Sequence, residues 1–135
     1  MAFQLLETFQ KKSSIAELDL CSVRMEDKEF PWILLIPKVE NVVQMNQLSL
    51  EQQLQLMKEI NFCSNIVESL FECDRLNVAA IGNKTPQLHI HIICRTQNDS
   101  LWPETVWGQN MRRLTAEENK ERAELISKAF EKYKL

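Results

Sequence analysis

Hydrophobic residues along the chain fall into blocks whose spacing alternates between helical and extended periods. Ala2, Leu5, Leu6 and Phe9 recur at helical spacing before the polar run Lys11-Lys12-Ser13-Ser14, so a short packing helix is expected to end there. Leu20 to Met25 reads as a strand and Glu26-Asp27-Lys28-Glu29 as the turn to the next one. Trp32-Ile33-Leu34-Leu35-Ile36 is continuously apolar and bracketed by Pro31 and Pro37, the pattern of a strand buried on both faces at the centre of a sheet. Val39 to Leu48 is mixed and predicts a loop over that sheet. Ser49 and Gln52 then form a capping box that opens a long helix, with Leu56, Ile60, Cys63, Val67 and Leu70 as its apolar stripe, widened by Met57 and Ile66. Glu51, Lys58, Asn61 and Glu68 mark its polar side, and the helix is expected to end near Cys73.

Arg75 to Ile81 predicts a third strand, Gly82-Asn83-Lys84 a turn, and Gln87 to Arg95 a fourth strand antiparallel to the third, since the connection is short. An aromatic loop follows from Asp99 to Gly108 without clear periodicity. Thr115 and Glu118 form a second capping box, and Ala123, Ile126, Phe130 and Tyr133 give a final helix over about residues 115–133 its apolar stripe. Lys128, Lys132 and Lys134 suit the C-terminal end of that helix dipole. A length of 135 residues suits a single domain spanning 1–135.

Charge narrows the function classes. A formal net charge of −3 lacks the basic excess that duplex nucleic acid favours, so nucleic acid is not an expected partner, and Arg112-Arg113 is too short a basic run to alter this. The N-terminus has neither the basic nor the apolar region of a signal peptide, and no apolar run reaches membrane-spanning length, so no membrane association is expected. Cys21, Cys63, Cys73 and Cys94 form no C-x-x-C pair and are read as reduced thiols of a cytoplasmic protein. Gly82 and Gly108 are the only glycines, which excludes glycine-rich phosphate loops of the Walker and Rossmann types.

The candidate chemistry lies in Thr85-Pro86-Gln87-Leu88-His89-Ile90-His91-Ile92-Ile93-Cys94-Arg95, which holds both histidines of the chain. Strand alternation puts Gln87, His89 and His91 in one polar row and turns Leu88, Ile90 and Ile92 to the core. The residues alone leave four readings open. The bland one is a pair of ordinary histidines on a half-exposed strand. A metal site is the second, but it needs a third ligand; Cys94 points to the opposite face, and Asp99 and Glu104 lie in a loop of unknown direction. The third is nucleophilic catalysis by a neutral imidazole on phosphorus, with phosphate contacts from the Gly82 turn, Asn83 and Gln87. The fourth is a binding module that uses the same donors without turnover.

Gln87-Leu88-His89-Ile90-His91-Ile92-Ile93 resembles the signature of the histidine-triad (HIT) family, His-φ-His-φ-His-φ-φ with φ apolar, except that Gln87 stands in place of the first histidine. Ile33-Leu34-Leu35-Ile36-Pro37-Lys38 is similar to the family's apolar strand ending in Pro-Lys, and Gly82-Asn83 sits where a Gly-Gln or Gly-Asn pair precedes the catalytic strand. Pro86-Gln87-Leu88-His89-Ile90-His91 with the later Trp102-Pro103 and Val106-Trp107-Gly108 resembles one bacterial branch of small HIT proteins. The resemblance covers roughly residues 20–108.

It implies an α+β, HIT-like fold: an antiparallel sheet of about five strands, a long helix and a C-terminal helix, with the sheet extended across a homodimer. The implied function is hydrolysis or transfer at the α-phosphate of dinucleoside polyphosphates or nucleoside phosphoramidates, with a purine nucleotide as partner and no cofactor or metal. His89 maps onto the nucleophile that forms a nucleotidyl-histidine, and His91 onto the histidine that contacts phosphate or helps protonate the leaving group. Asn83 and Gln87 would contact phosphate oxygens. Asn77 would line the site, and Asp27, with Glu26 as a rival, would bind the ribose hydroxyls. The alternative implied function is a nucleotide-binding protein with little or no catalysis. Trp32, Trp102 and Trp107 are read as packing residues, Lys84 as a turn residue near phosphate, and Arg95 as either an ion-pair partner or a phosphate contact.

Overall fold

In the computed structural model, which describes residues 2–135, five strands form one antiparallel sheet in the order β1-β2-β3-β5-β4. They are β1 (Ser13–Glu17), β2 (Cys21–Met25), β3 (Trp32–Pro37), β4 (Arg75–Ala79) and β5 (Ile90–Arg95). Three α-helices accompany them: α1 (Glu7–Gln10), α2 (Leu50–Leu70) and α3 (Ala116–Lys132). The apolar run Trp32-Ile33-Leu34-Leu35-Ile36 is central as expected, with β3 paired to β2 on one side and to β5 on the other. The 80–89 connection indeed joins antiparallel partners, with Ala79 opposite His91.

Both long helices begin where their capping boxes predict. Ser49 accepts from the Gln52 amide and Thr115 from the Glu118 amide, each with the reciprocal bond present. α2 and α3 cover one face of the sheet, burying Leu56, Cys63, Ile66, Val67, Ile126 and Phe130 against Val23, Ile33, Leu35, Ile90 and Ile92. Met57, expected on the apolar stripe, is instead 63% exposed, and Glu59 takes a buried place with no exposure at all. The Glu59 carboxylate accepts from the backbone amides of Leu20 and Cys21, both at 2.8 Å, and from Gln55 at 2.7 Å. It thus stitches the β1–β2 hairpin to α2 and satisfies two backbone donors at the start of β2.

The opposite face of the sheet carries a second apolar cluster of Phe9, Phe30, Trp32, Leu34, Ile36, Ile93 and Val106. Its cover is not a long helix. The N-terminal segment contributes Phe3, Leu5 and Phe9, and the loop after β5 contributes Leu101, Val106, Trp107 and Met111. Gly108, at φ +80°, lets the chain turn directly after Trp107 in a region that other residues rarely adopt.

Three expectations are corrected. The first helix is a single turn beginning after an extended Leu6, because the Leu6 amide and the Gln4 carbonyl bond to the Gln87 side chain and not within a helix. Ser13-Ser14, expected as a polar turn, begins an edge strand that pairs with β2 through a register irregularity. Its only buried residue is Ile15, so the segment is too polar to register as a strand by periodicity. Finally, Cys73 and Cys94 are joined by a disulfide, while Cys21 and Cys63 are free and buried. Cys73 lies just before β4, whose Leu76 faces Cys94, and this pairing brings the two Cα atoms to 5.3 Å. The cysteine pattern therefore lends no support to a reducing compartment. Among the described residues, no helix is long and apolar enough to cross a membrane.

Candidate active site

β5 alternates as the sequence predicts. Ile90 and Ile92 enter the core under α2, while His91, Ile93 and Arg95 face the other side together with His89, which sits just before the strand. His89 and His91 are each 6% exposed, with ring centroids 4.9 Å apart and an edge-on arrangement. Phe9 packs against His89 at 4.8 Å, and Trp107 against His91 at 5.3 Å. The N-terminal segment and the loop after β5 thus close over the pair from separate parts of the chain.

Fixed partners determine where each imidazole carries its proton. Nδ1 of His89 lies 2.7 Å from the carbonyl oxygen of Gln87, which can only accept, so Nδ1 holds the hydrogen and Nε2 the lone pair. Nε2 has no hydrogen-bond partner among the described residues. The indole Nε1 of Trp32, which can only donate, lies 3.1 Å from Nδ1 of His91, so there the hydrogen is on Nε2, directed at the Ile81 carbonyl 3.3 Å away. Trp32 was expected to be packing alone. Its register opposite Ile93, diagonal to His91, is invisible without the sheet.

Burial lowers the pKa of both histidines, because the cation loses hydration. For His89 the bond to Gln87 and the nearby Glu26 carboxylate partly counter burial. For His91 burial is reinforced by His89, and the result is about 4. Both rings are therefore neutral near pH 7.

One edge of His89 lines a cleft of about 600 Å³ shared with Gly82, Asn83, Pro86, Gln44 and Asn46. Gly82 is there for space: a Cβ would meet the Thr85 carbonyl at 3.3 Å and His89 Cε1 at 3.7 Å. Asn83 and His89 thus share one cleft.

The remaining sequence candidates are placed elsewhere. Gln87 accepts from the Leu6 amide and donates to the Gln4 carbonyl, both at 2.9 Å, which leaves one amide N–H uncommitted. Asn77 faces the same side of the sheet, but its oxygen accepts from Arg95 at 3.2 Å and it does not line the cleft. Arg95, 2% exposed, is an ion-pair partner: its Nε and Nη2 reach both oxygens of Asp99 at 2.7 and 3.1 Å. Asp27 pairs with Arg113 at 2.5 Å, away from the histidines. Burial alone would raise the Asp27 carboxyl, but Arg113 outweighs it and holds it below the usual range. Glu26, the rival, pairs with Lys12 at 2.5 Å, and both groups influence His89. The acid near the site is therefore Glu26. Among the described residues, no group of three or more His, Cys, Asp or Glu side chains could hold a metal ion.

The family model described as "HIT domain" matches residues 8–98. The structure is similar to that of a histidine triad protein from Bradyrhizobium japonicum, with 34% identity over 96% of this chain and 98% of that one and a TM-score of 0.88. It is similar to one from Marinobacter aquaeolei VT8, with 35% identity over 98% of each chain and a TM-score of 0.89. A third, from Sinorhizobium meliloti 1021, shares 28% identity over 95% of this chain and 97% of that one, with a TM-score of 0.87. No curated protein sequence matched. Because the matched family model spans most of its length, the chain belongs to the histidine-triad family.

Proposed function

We propose that this protein is a nucleotide hydrolase or nucleotidyl transferase in which Nε2 of His89 attacks the α-phosphorus of a dinucleoside polyphosphate or nucleoside phosphoramidate. The observation that carries this reading is the hydrogen bond from His89 Nδ1 to the Gln87 carbonyl, which leaves Nε2 unprotonated in a ring that lines an open cleft. In the first step a phosphorus–nitrogen bond forms to Nε2 while the bond from phosphorus to the leaving oxygen or amine breaks. The leaving group departs with the electron pair and takes up a proton. Water then displaces His89, releasing a nucleoside monophosphate and restoring the imidazole. A transferase would use a different acceptor in that second step.

Asn83 and the uncommitted amide N–H of Gln87 are the proposed phosphate contacts, and His91 supports the phosphoryl group beside His89. Glu26 replaces Asp27 as the acid proposed to meet the nucleoside, while Asn77 acts indirectly by holding Arg95. A homodimer is proposed through the free edge of β4, where Val78 is 46% exposed, together with the exposed Leu50, Leu54 and Met57 of α2. The second reading is nucleotide binding without turnover. It is favoured by Gln87, which cannot ionise where the family motif has a histidine, and by the absence among the described residues of a carboxylate bonded to either imidazole.

The test is incubation with an adenosine phosphoramidate or diadenosine polyphosphate, followed by intact-mass measurement of rapidly quenched protein. An adenylate adduct absent from His89→Ala is the expected result. Nucleotide binding with neither adduct nor monophosphate release would overturn catalysis in favour of the binding reading.

A further inference from the structure

The two imidazoles of the site are held in opposite tautomers by partners whose hydrogen-bonding capacity is not adjustable. The Gln87 carbonyl can only accept from His89 Nδ1, and the Trp32 indole can only donate to His91 Nδ1. We propose that Trp32 is a positioning residue that fixes His91 as an Nε2–H donor, so that the pair offers one lone pair and one N–H to the same phosphoryl group. The chemical consequence rests on the nucleotidyl-transfer reading: His91 then donates a hydrogen bond to a phosphoryl or leaving-group oxygen and does not act as an imidazolium acid.

The geometry supports this from three sides. Trp32 is 4% exposed, and Trp107 packs edge-on against both Trp32 at 6.3 Å and His91 at 5.3 Å, so the indole has no room to turn its N–H elsewhere. To become a cation, His91 would need a second proton on Nδ1, where it would confront the Trp32 N–H donor head-on. The titratable groups that His91 feels are His89 and Lys12, and both oppose a further positive charge. On the Nε2 side, the 3.3 Å contact with the Ile81 carbonyl is at the long end of the hydrogen-bond range, so this N–H can be given up to a closer acceptor.

The decisive experiment reads the tautomers directly in uniformly 15N-labelled protein. The expected result is a pyrrole-like Nε2 and a pyridine-like Nδ1 for His91, with a trans-hydrogen-bond scalar coupling between His91 Nδ1 and Trp32 Nε1. Replacing Trp32 with 3-benzothienylalanine keeps the shape of the ring but exchanges its N–H for sulfur. This should mix the His91 tautomers, raise its titration midpoint by about one pH unit and lower kcat more than it changes KM. A His91 that carries its hydrogen on Nδ1 in the unaltered protein would overturn the proposal. So would an isostere whose His91 tautomer and titration match the parent. Because the tautomer is read in the resting protein, a failure to turn over nucleotide counts against the proposed reaction and not against the role of Trp32.

Discussion

Replacing Gln87 with alanine removes both hydrogen bonds that hold the N-terminal segment across the start of β5, the Leu6 amide to Oε1 and Nε2 to the Gln4 carbonyl, each 2.9 Å. Each neutral bond is worth a net 0.5–1.5 kcal/mol as a general order of magnitude, and this pair lies at the exposed end of that range, so about 1–2 kcal/mol is lost together. That corresponds to an increase of about 5- to 30-fold in the population of the detached segment. The loss is local, because Leu6 is 37% exposed while Phe9 stays buried on His89. Amide hydrogen exchange at Leu6 should therefore accelerate by that factor while the thermal midpoint moves little. If Gln87 also donates its remaining N–H to phosphate, the same variant weakens binding of a nucleoside monophosphate. Unchanged exchange at Leu6 in Gln87→Ala would refute the latch, whatever happens to nucleotide affinity.

Asp99→Asn removes the charge opposite the buried Arg95 and disturbs the bonds from the Thr96, Leu101 and Trp102 amides, so a loss of about 3–5 kcal/mol is expected by analogy with broken buried pairs. A denaturation midpoint equal to the parent's would contradict it. Glu59→Gln places an amide donor against one of two buried backbone donors and should cost on the order of 2 kcal/mol, read as a lower midpoint in guanidinium chloride at unchanged slope. In acid, the unfolded chain protonates its histidines near 6.5 while folded His91, desolvated, waits until about 4. Stability is therefore complete above about pH 6.5 and falls by on the order of 3 kcal/mol toward pH 4. His91→Gln should flatten that slope, and an identical pH dependence in the variant would show that His91 is not its source.

Local signals were enough for most of the architecture. Capping boxes are short-range chemistry, so Ser49 with Gln52 and Thr115 with Glu118 mark both long helices from sequence alone. The unbroken apolar run in β3 needs no partner to be recognised as central. Segments whose state depends on distant partners were not legible. β1 is a strand because β2 offers it an edge, and α1 starts no earlier than Glu7 because Gln87 takes the Leu6 amide and the Gln4 carbonyl. Met57 of the expected apolar stripe is exposed, and Glu59, which no spacing marked as buried, lies inside because its carboxylate accepts from the Leu20 and Cys21 amides of the distant hairpin.

The same division runs through the site. Alternation along β5 determined, without any structure, that His89 and His91 share a face, and the resemblance to the histidine-triad signature is what singled out His89 as the nucleophile to test. Which imidazole nitrogen holds the proton was decided only by tertiary structure, because a tautomer follows from the partner at the ring's other nitrogen. Those partners are a carbonyl two residues away for His89 and an indole 59 residues away for His91. The disulfide, the Arg95–Asp99 pair that draws in Asn77, and the turn of Asp27 toward Arg113 with Glu26 left near His89 belong to the same class. Each is set by strand register and loop path, which bring together side chains that no spacing along the chain relates.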